Sequence, residues 1–471
     1  MFSAYSALSV PGRGAARLAA ATMVSGLAAA GVLAGAGPAA ADGTAQGRDG
    51  ATATVNGLKT YGTAVLDGAM GEQEVPAGLF EMSVDGGGTL QTYCVDIQTP
   101  TQKDAKYHET PWSGTSLGTN PHAGRIRWIL HNSYPQVNDL AALAKKAGVR
   151  GGLTEQDAAA GTQVAIWRYS DGAEVRAADP QAERLADYLE KKARALAEPA
   201  ASLTLDPPAV AGRPGERIGP VTVHTNADGA TVTPPADAAT SGVRIVGKDG
   251  RAVTSVTDGS QVFFDVPEDA PPGTAELTVQ ASTTVPVGRA FASESRSQTQ
   301  ILAGSSESAV SASATATWGA RGPVPALSAV EDCAEGSLDI TAVNKGDEAF
   351  TFELLGTEYS IAAGETRTVA VPLQEGQSYD FTISGPDGFG KRFAGVLDCR
   401  TQTGESEDGQ STQILGEPAP ATAGGTSADT NLAETGGSGV TPLIGGIALG
   451  LVVVGGTTLL VLRRKDAGPR G

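Results

Sequence analysis

Two stretches in this chain of 471 residues carry side chains suited to covalent chemistry. The first is Tyr93-Cys94-Val95-Asp96 and the second is Gly161-Thr162-Gln163-Val164-Ala165-Ile166-Trp167. Cys94 is one of three cysteines, and the other two, Cys333 and Cys399, lie far downstream. An odd cysteine in an exported chain is a thiol to be accounted for, as a nucleophile or as a small apolar filler of a core. Gln163 offers a carboxamide, which is inert unless a fold holds a nucleophile against its carbon and donors against its oxygen. Trp167 stands one helical turn beyond Gln163, so the two side chains share a helix face, whereas Tyr93 points to the opposite side of its strand from Cys94.

The order aromatic-Cys-Val-Asp followed by Thr-Gln-x-Ala-Ile-Trp, both inside residues 50–200, resembles the thioester domains of Gram-positive surface adhesins. The resemblance implies that the Cys94 sulfur is acylated by the Gln163 side chain with loss of ammonia. Tyr93, Asp96, Thr162 and Trp167 would then be the motif residues around the bond, with the Trp167 indole shielding it from water. It further implies a partner: an amine on a surface or matrix protein attacks the thioester, displaces the sulfur and ends as an amide. Asp96, His108, His122 and His131 all stand open as the base for that step. A wall-anchored adhesin that binds without a covalent bond, or a structural surface protein, is the alternative. The chain has no HExxH and no Cys…His…Asn signature, so it is not expected to be an enzyme. No metal and no cofactor enter the reading.

The elements that must position these residues are legible as α+β. Residues 54–66, 78–84 and 89–97 alternate as strands, the last carrying Cys94. Asn120-Pro121 opens a helix with Ile126, Ile129 and Leu130 on its apolar face. Asn138 or Asp139 caps a second that stops at Gly148, and Thr154 with Asp157 forms a capping box for a third, which carries Gln163. Asp179-Pro180 starts a fourth, ending before Pro199. Residues 201–325 and 326–400 read as two all-β stalk domains of immunoglobulin-like sandwich type, because short Val/Thr-rich runs alternate with Pro, Gly and Asp clusters. Cys333 and Cys399 bracket the second of these and are expected to pair in an oxidising compartment. Lys248, Lys345 and Lys391 have no evident partner for a stalk crosslink.

The ends of the chain address it. Residues 1–41 read as a signal peptide, with Arg13 and Arg17 ahead of an Ala-rich apolar stretch and Ala39-Ala40-Ala41 at the cleavage site. Residues 401–431 are a polar linker. Within 432–471, Leu432-Ala433-Glu434-Thr435-Gly436 precedes an apolar run over 443–462, long enough to form a transmembrane helix, and then Arg463-Arg464-Lys465. This succession resembles a cell-wall sorting signal, in the variant associated with class E sortases of actinobacteria. It implies cleavage after Thr435 and linkage of Thr435 to peptidoglycan. The net charge of −18, with no basic run before the C-terminus, excludes nucleic acid as a partner.

Overall fold

A computed structural model describes residues 49–68 and 71–400. The signal peptide, the linker from 401, the sorting motif Leu432 to Gly436 and the apolar run all lie outside the described residues. Among those described, no helix is long and apolar enough to cross a membrane.

The first module is a sheet that closes on itself. β1 (Thr52–Gly68) pairs with β2 (Gly71–Val84), β2 pairs with β3 (Thr89–Cys94), and β4 (Lys106–Thr110) pairs with the start of β1. The chain then turns helical through α1 (Ser116–Thr119), α2 (Ala123–Asn132), α3 (Leu140–Ala147) and α4 (Glu155–Ser170). It adds β5 (Val175–Ala177) to β1 and finishes in α5 (Pro180–Lys192). The predicted caps hold. The Asp139 side chain accepts from Ala142 N, Gly148 sits at φ 70, Thr154 and Asp157 form the reciprocal box, and Asp179 caps α5. One helix end differs from expectation. α2 begins after His122 because the Asn120 side chain takes up the His122 N–H, whereas α5 stops at Lys192, before Pro199 as read.

α4 is buried from Ala158 through Trp167, so its alanines and glycine serve close packing rather than an exposed face. A Cβ added to Gly161 would stand 2.5 Å from the Ala182 carbonyl of α5, which is why this turn carries no side chain.

The expected boundary at residue 200 does not hold for the first sheet. The second module runs through β6 (Leu203–Asp206), β7 (Ala209–Gly212), β8 (Arg217–Thr225), β9 (Ala230–Thr233), β10 (Arg244–Gly247), β11 (Ser255–Val256), β12 (Gln261–Asp265) and β13 (Gly273–Thr284). The chain then returns to the first module as β14 (Ala290–Ser293) and β15 (Gln300–Ser305), before β16 (Glu307–Trp318) pairs back along β13. β14 pairs with β4 and β15 with β3, giving the order β2-β3-β15-β14-β4-β1-β5, which the β1–β2 pairing closes. The strand content of 201–325 was expected, but this short excursion carries no compositional mark of its own. The second module keeps two sheets, β10-β12-β8-β6 and β11-β9-β13-β16-β7. Val223, Val262 and Phe264 of one share a core with Val232, Leu277 and Ala314 of the other.

The third module, β17 (Pro325–Asp332), β18 (Ser337–Asn344), β19 (Phe350–Leu354), β20 (Thr357–Ile361), β21 (Thr366–Pro372), β22 (Ser378–Ser384) and β23 (Gly390–Val396), is a small β unit around Ile340, Phe350 and Phe393. Cys333 and Cys399 are joined by a disulfide, as expected.

A buried ion pair fixes the crossing between modules. Arg289, just ahead of β14, donates from Nε to Glu109 of β4 at 2.8 Å and from Nη1 to Glu198 at 2.8 Å. Glu109 also accepts the Ser202 N–H at 2.9 Å, and both partners of the pair are nearly water-free. Arg289→Ala would leave Glu109 buried without its counter-charge. It is expected to lower stability by about 3–5 kcal/mol, read as a fall in the urea midpoint of the chain.

Candidate functional site

Cys94 ends β3, two residues beyond the last position paired with β2. The β2–β3 register runs from Ser83↔Thr89 to Phe80↔Thr92, so the outward backbone groups of Cys94 have no strand to meet. Gln163 of α4 fills the gap. Its Oε1 accepts the Cys94 N–H at 3.1 Å and its Nε2 donates to the Cys94 carbonyl at 2.8 Å. The carboxamide imitates one peptide unit of a neighbouring strand and satisfies both buried polar groups. Gln163 and Cys94 therefore meet, but through the cysteine's backbone and not through the sulfur to which the sequence reading assigns Gln163.

The sulfur meets a different amide. Gln300 of β15 is the cross-strand partner of Cys94. Because the Cys94 N–H and carbonyl are turned to Gln163, and Val95 N donates to Thr299 O, the two residues form a non-hydrogen-bonded pair. In such pairs the Cα atoms approach to about 4.5 Å and the side chains stand closest. Gln300 Nε2 lies 3.2 Å from Cys94 Sγ, and Thr92, two residues before Cys94 on the same face, donates from Oγ1 to Gln300 Oε1 at 3.0 Å. Thr101 Oγ1 is 3.8 Å from Sγ and accepts from Gln298 Nε2 at 2.7 Å. Cys94 is 2 % exposed and Gln300 0 %, so bulk water does not reach the pair. Burial pushes the Cys94 thiol up to about 12, partly offset by the hydrogen bonds from Gln300 and Thr101.

The other predicted site residues frame this centre. Tyr93 is fully buried on the opposite side of the strand and donates to the Tyr134 carbonyl at 2.9 Å. Asp96 accepts from Gln98 N at 2.9 Å and Thr99 N at 3.2 Å, shaping the loop after Cys94. Thr162 is bonded back along α4 to Ala158 O. Trp167 is buried, and its Nε1 has no hydrogen-bond partner among the described residues. His122 lies against the Tyr169 ring, His131 is in the last turn of α2, and His108 lies on β4 opposite Thr52. Gln300, Gln298, Thr92 and Thr101 were missed. The signal was a pair of glutamines spaced by two, running into the apolar Ile301-Leu302-Ala303, where a strand would bury them both.

Residues 91–195 match the family model described as Thioester domain. The matched segment contains Cys94 and Gln163 and stops short of Gln300. Residues 323–396, the third module, match the model described as the C-terminal domain of bacterial phospholipase C. No curated protein matches the chain. Among solved structures, the Bacillus anthracis TIE protein is 15% identical over 75% of this chain, with a TM-score of 0.25, and the chain spans 64% of that protein's length. The thioester domain of the Enterococcus faecium TIE86 protein is 17% identical, covering 58% of this chain and 99% of that one, with a TM-score of 0.28. The Escherichia coli chaperone DraB is 12% identical, covering 41% and 96%, with a TM-score of 0.15.

Buried acidic groups lie near Asp96 and Thr299. Asp171 accepts from Ile97 N at 3.1 Å, and burial, reinforced by Asp96, pushes it up to about 8. Asp398, beside Cys399 of the third module, accepts from Thr299 Oγ1 at 3.2 Å and is pushed up to about 7, again by burial first. A folded carboxyl held above its ordinary 3.8 keeps a proton that the unfolded chain has already released. Stability from these groups is present at about pH 4 and is lost as pH rises toward about 8. Urea midpoints measured across that range should fall with pH, and Asp171→Asn should flatten the fall. Gln163→Ala, which strips both partners from the Cys94 backbone, is expected to cost about 1–3 kcal/mol in the same measurement.

Proposed function

We propose that the chain is a surface adhesin that bonds covalently to amine-bearing targets through a thioester between Cys94 and Gln300. The observation that carries this reading is the facing pair itself, with the sulfur 3.2 Å from the Gln300 amide nitrogen. Closure between them would use two rigid neighbouring strands, the arrangement in which effective molarity is highest. The Thr92 hydroxyl on Gln300 Oε1 is set to stabilise the oxyanion of the tetrahedral intermediate. A bond from Cys94 to Gln163 would instead require both of Gln163's amide atoms to leave the Cys94 backbone. Gln163 serves this centre by holding the nucleophile's backbone still.

The thioester stores an electrophile. An amine on a target surface displaces the sulfur and remains as a Gln300 amide, so each molecule reacts once and does not turn over as an enzyme does. The signal peptide at 1–41 and the Leu432–Gly436 motif support export and anchoring by a sortase of class E, with Thr435 joined to peptidoglycan. Residues 401–431 would cross the wall, and the β modules would carry the reactive centre away from it.

Intact mass of the exported chain tests the bond. The mature protein is expected to be one ammonia lighter than its composition, Cys94→Ala and Gln300→Ala are expected at full mass, and methylamine is expected on the peptide carrying Gln300. Methylamine on Gln163 would move the bond back to that residue. A full mass with a titratable Cys94 would leave a non-covalent adhesin.

A further inference from the structure

Acylation of Cys94 by Gln300 requires a hydrogen to leave sulfur and reach the departing nitrogen, in a chamber that water does not enter. Thr101, on the loop between β3 and β4, touches both atoms: its Oγ1 is 3.8 Å from Cys94 Sγ and 3.3 Å from Gln300 Nε2. The contact is built rather than incidental. Gln298 Nε2 donates to the same oxygen at 2.7 Å, and Thr101 is 7% exposed. The next residue staples the loop to the segment leading into β15, with Gln102 N donating to Ser297 Oγ at 2.8 Å and Gln102 Nε2 to Arg296 O at 2.6 Å.

We propose that the Thr101 hydroxyl is the proton relay for acyl exchange at Gln300, a role that rests on the Cys94–Gln300 reading above. Attack forms the bond from Sγ to Cδ of Gln300 and moves the carbonyl pair onto Oε1, where Thr92 donates. The nitrogen becomes pyramidal and regains its lone pair, so the atom that donated to Thr101 now accepts from it. Thr101 gives its hydrogen to that nitrogen and receives the hydrogen of the thiol. The carbon–nitrogen bond breaks, ammonia leaves and the carbonyl re-forms. When a primary amine attacks the finished thioester, the same path runs in reverse. One amine hydrogen passes through Thr101 to the departing sulfur, leaving an amide at Gln300 and a thiol at Cys94. No ionised base is needed, which suits a thiol that burial keeps protonated at neutral pH.

Thr101→Val keeps the shape and removes the hydroxyl, whereas Thr101→Ser keeps the hydroxyl. The test follows the loss of ammonia by intact mass in full chains sampled from the start of synthesis, with urea midpoints checked for each variant. Wild type and Thr101→Ser are expected to close quickly, and Thr101→Val at least about a hundredfold more slowly with a midpoint close to wild type, the size of a lost acid–base step. Should Thr101→Val prove unstable, Gln298→Leu, which frees the hydroxyl from its guide, is expected to slow closure as well. Closure of Thr101→Val at the wild-type rate overturns the relay while leaving the thioester standing. A wild-type chain at full mass overturns the Cys94–Gln300 bond and the relay with it.

Discussion

The structure depends on one cross-strand pair. Cys94 and Gln300 face each other where two antiparallel strands bring side chains closest, and everything around them keeps that register. A slip of one residue would turn the sulfur to one side of the sheet and the amide to the other. Gln163 prevents the slip from the α4 side by gripping both backbone groups of Cys94, and Val95 N on Thr299 O prevents it from the β15 side. The helix therefore acts as an edge strand made of a single side chain, and its capping box and buried alanines hold that side chain at a constant height.

Burying so many polar atoms is costly unless each is paired. Here the pairing and the chemistry are the same contacts. Thr92 satisfies Gln300 Oε1 and stands where negative charge would develop, and Gln300 Nε2 satisfies the sulfur that would expel it. The third module contributes to the same enclosure through Asp398 on Thr299, held beside the Cys333–Cys399 bridge.

Much of this was legible because its signals are local. Strand alternation around Cys94, the Asp139, Thr154 and Asp179 caps and the Gly148 stop each depend on a few neighbouring residues, and each appears as read. The family-like motifs put Gln163 beside Cys94 but assigned it to the sulfur, whereas its amide meets the Cys94 backbone. They did not disclose that the glutamine serves the backbone, because sequence order carries no information about which atom of a cysteine a distant amide meets. Gln300 escaped for a topological reason. It lies 206 positions from Cys94, beyond strands β6 to β13 of the second module, in a run whose composition matches the strands on either side.

The excursion of β14 and β15 has a consequence for how much of the chain the site needs. Residues up to 200 hold the Cys94 thiol with no amide facing it and leave the gap between β3 and β4 unfilled. The facing pair exists only when the chain continues through residue 305. A fragment cut at the end of α5 would therefore keep the cysteine and its helix-borne glutamine yet lack the residue that meets the sulfur.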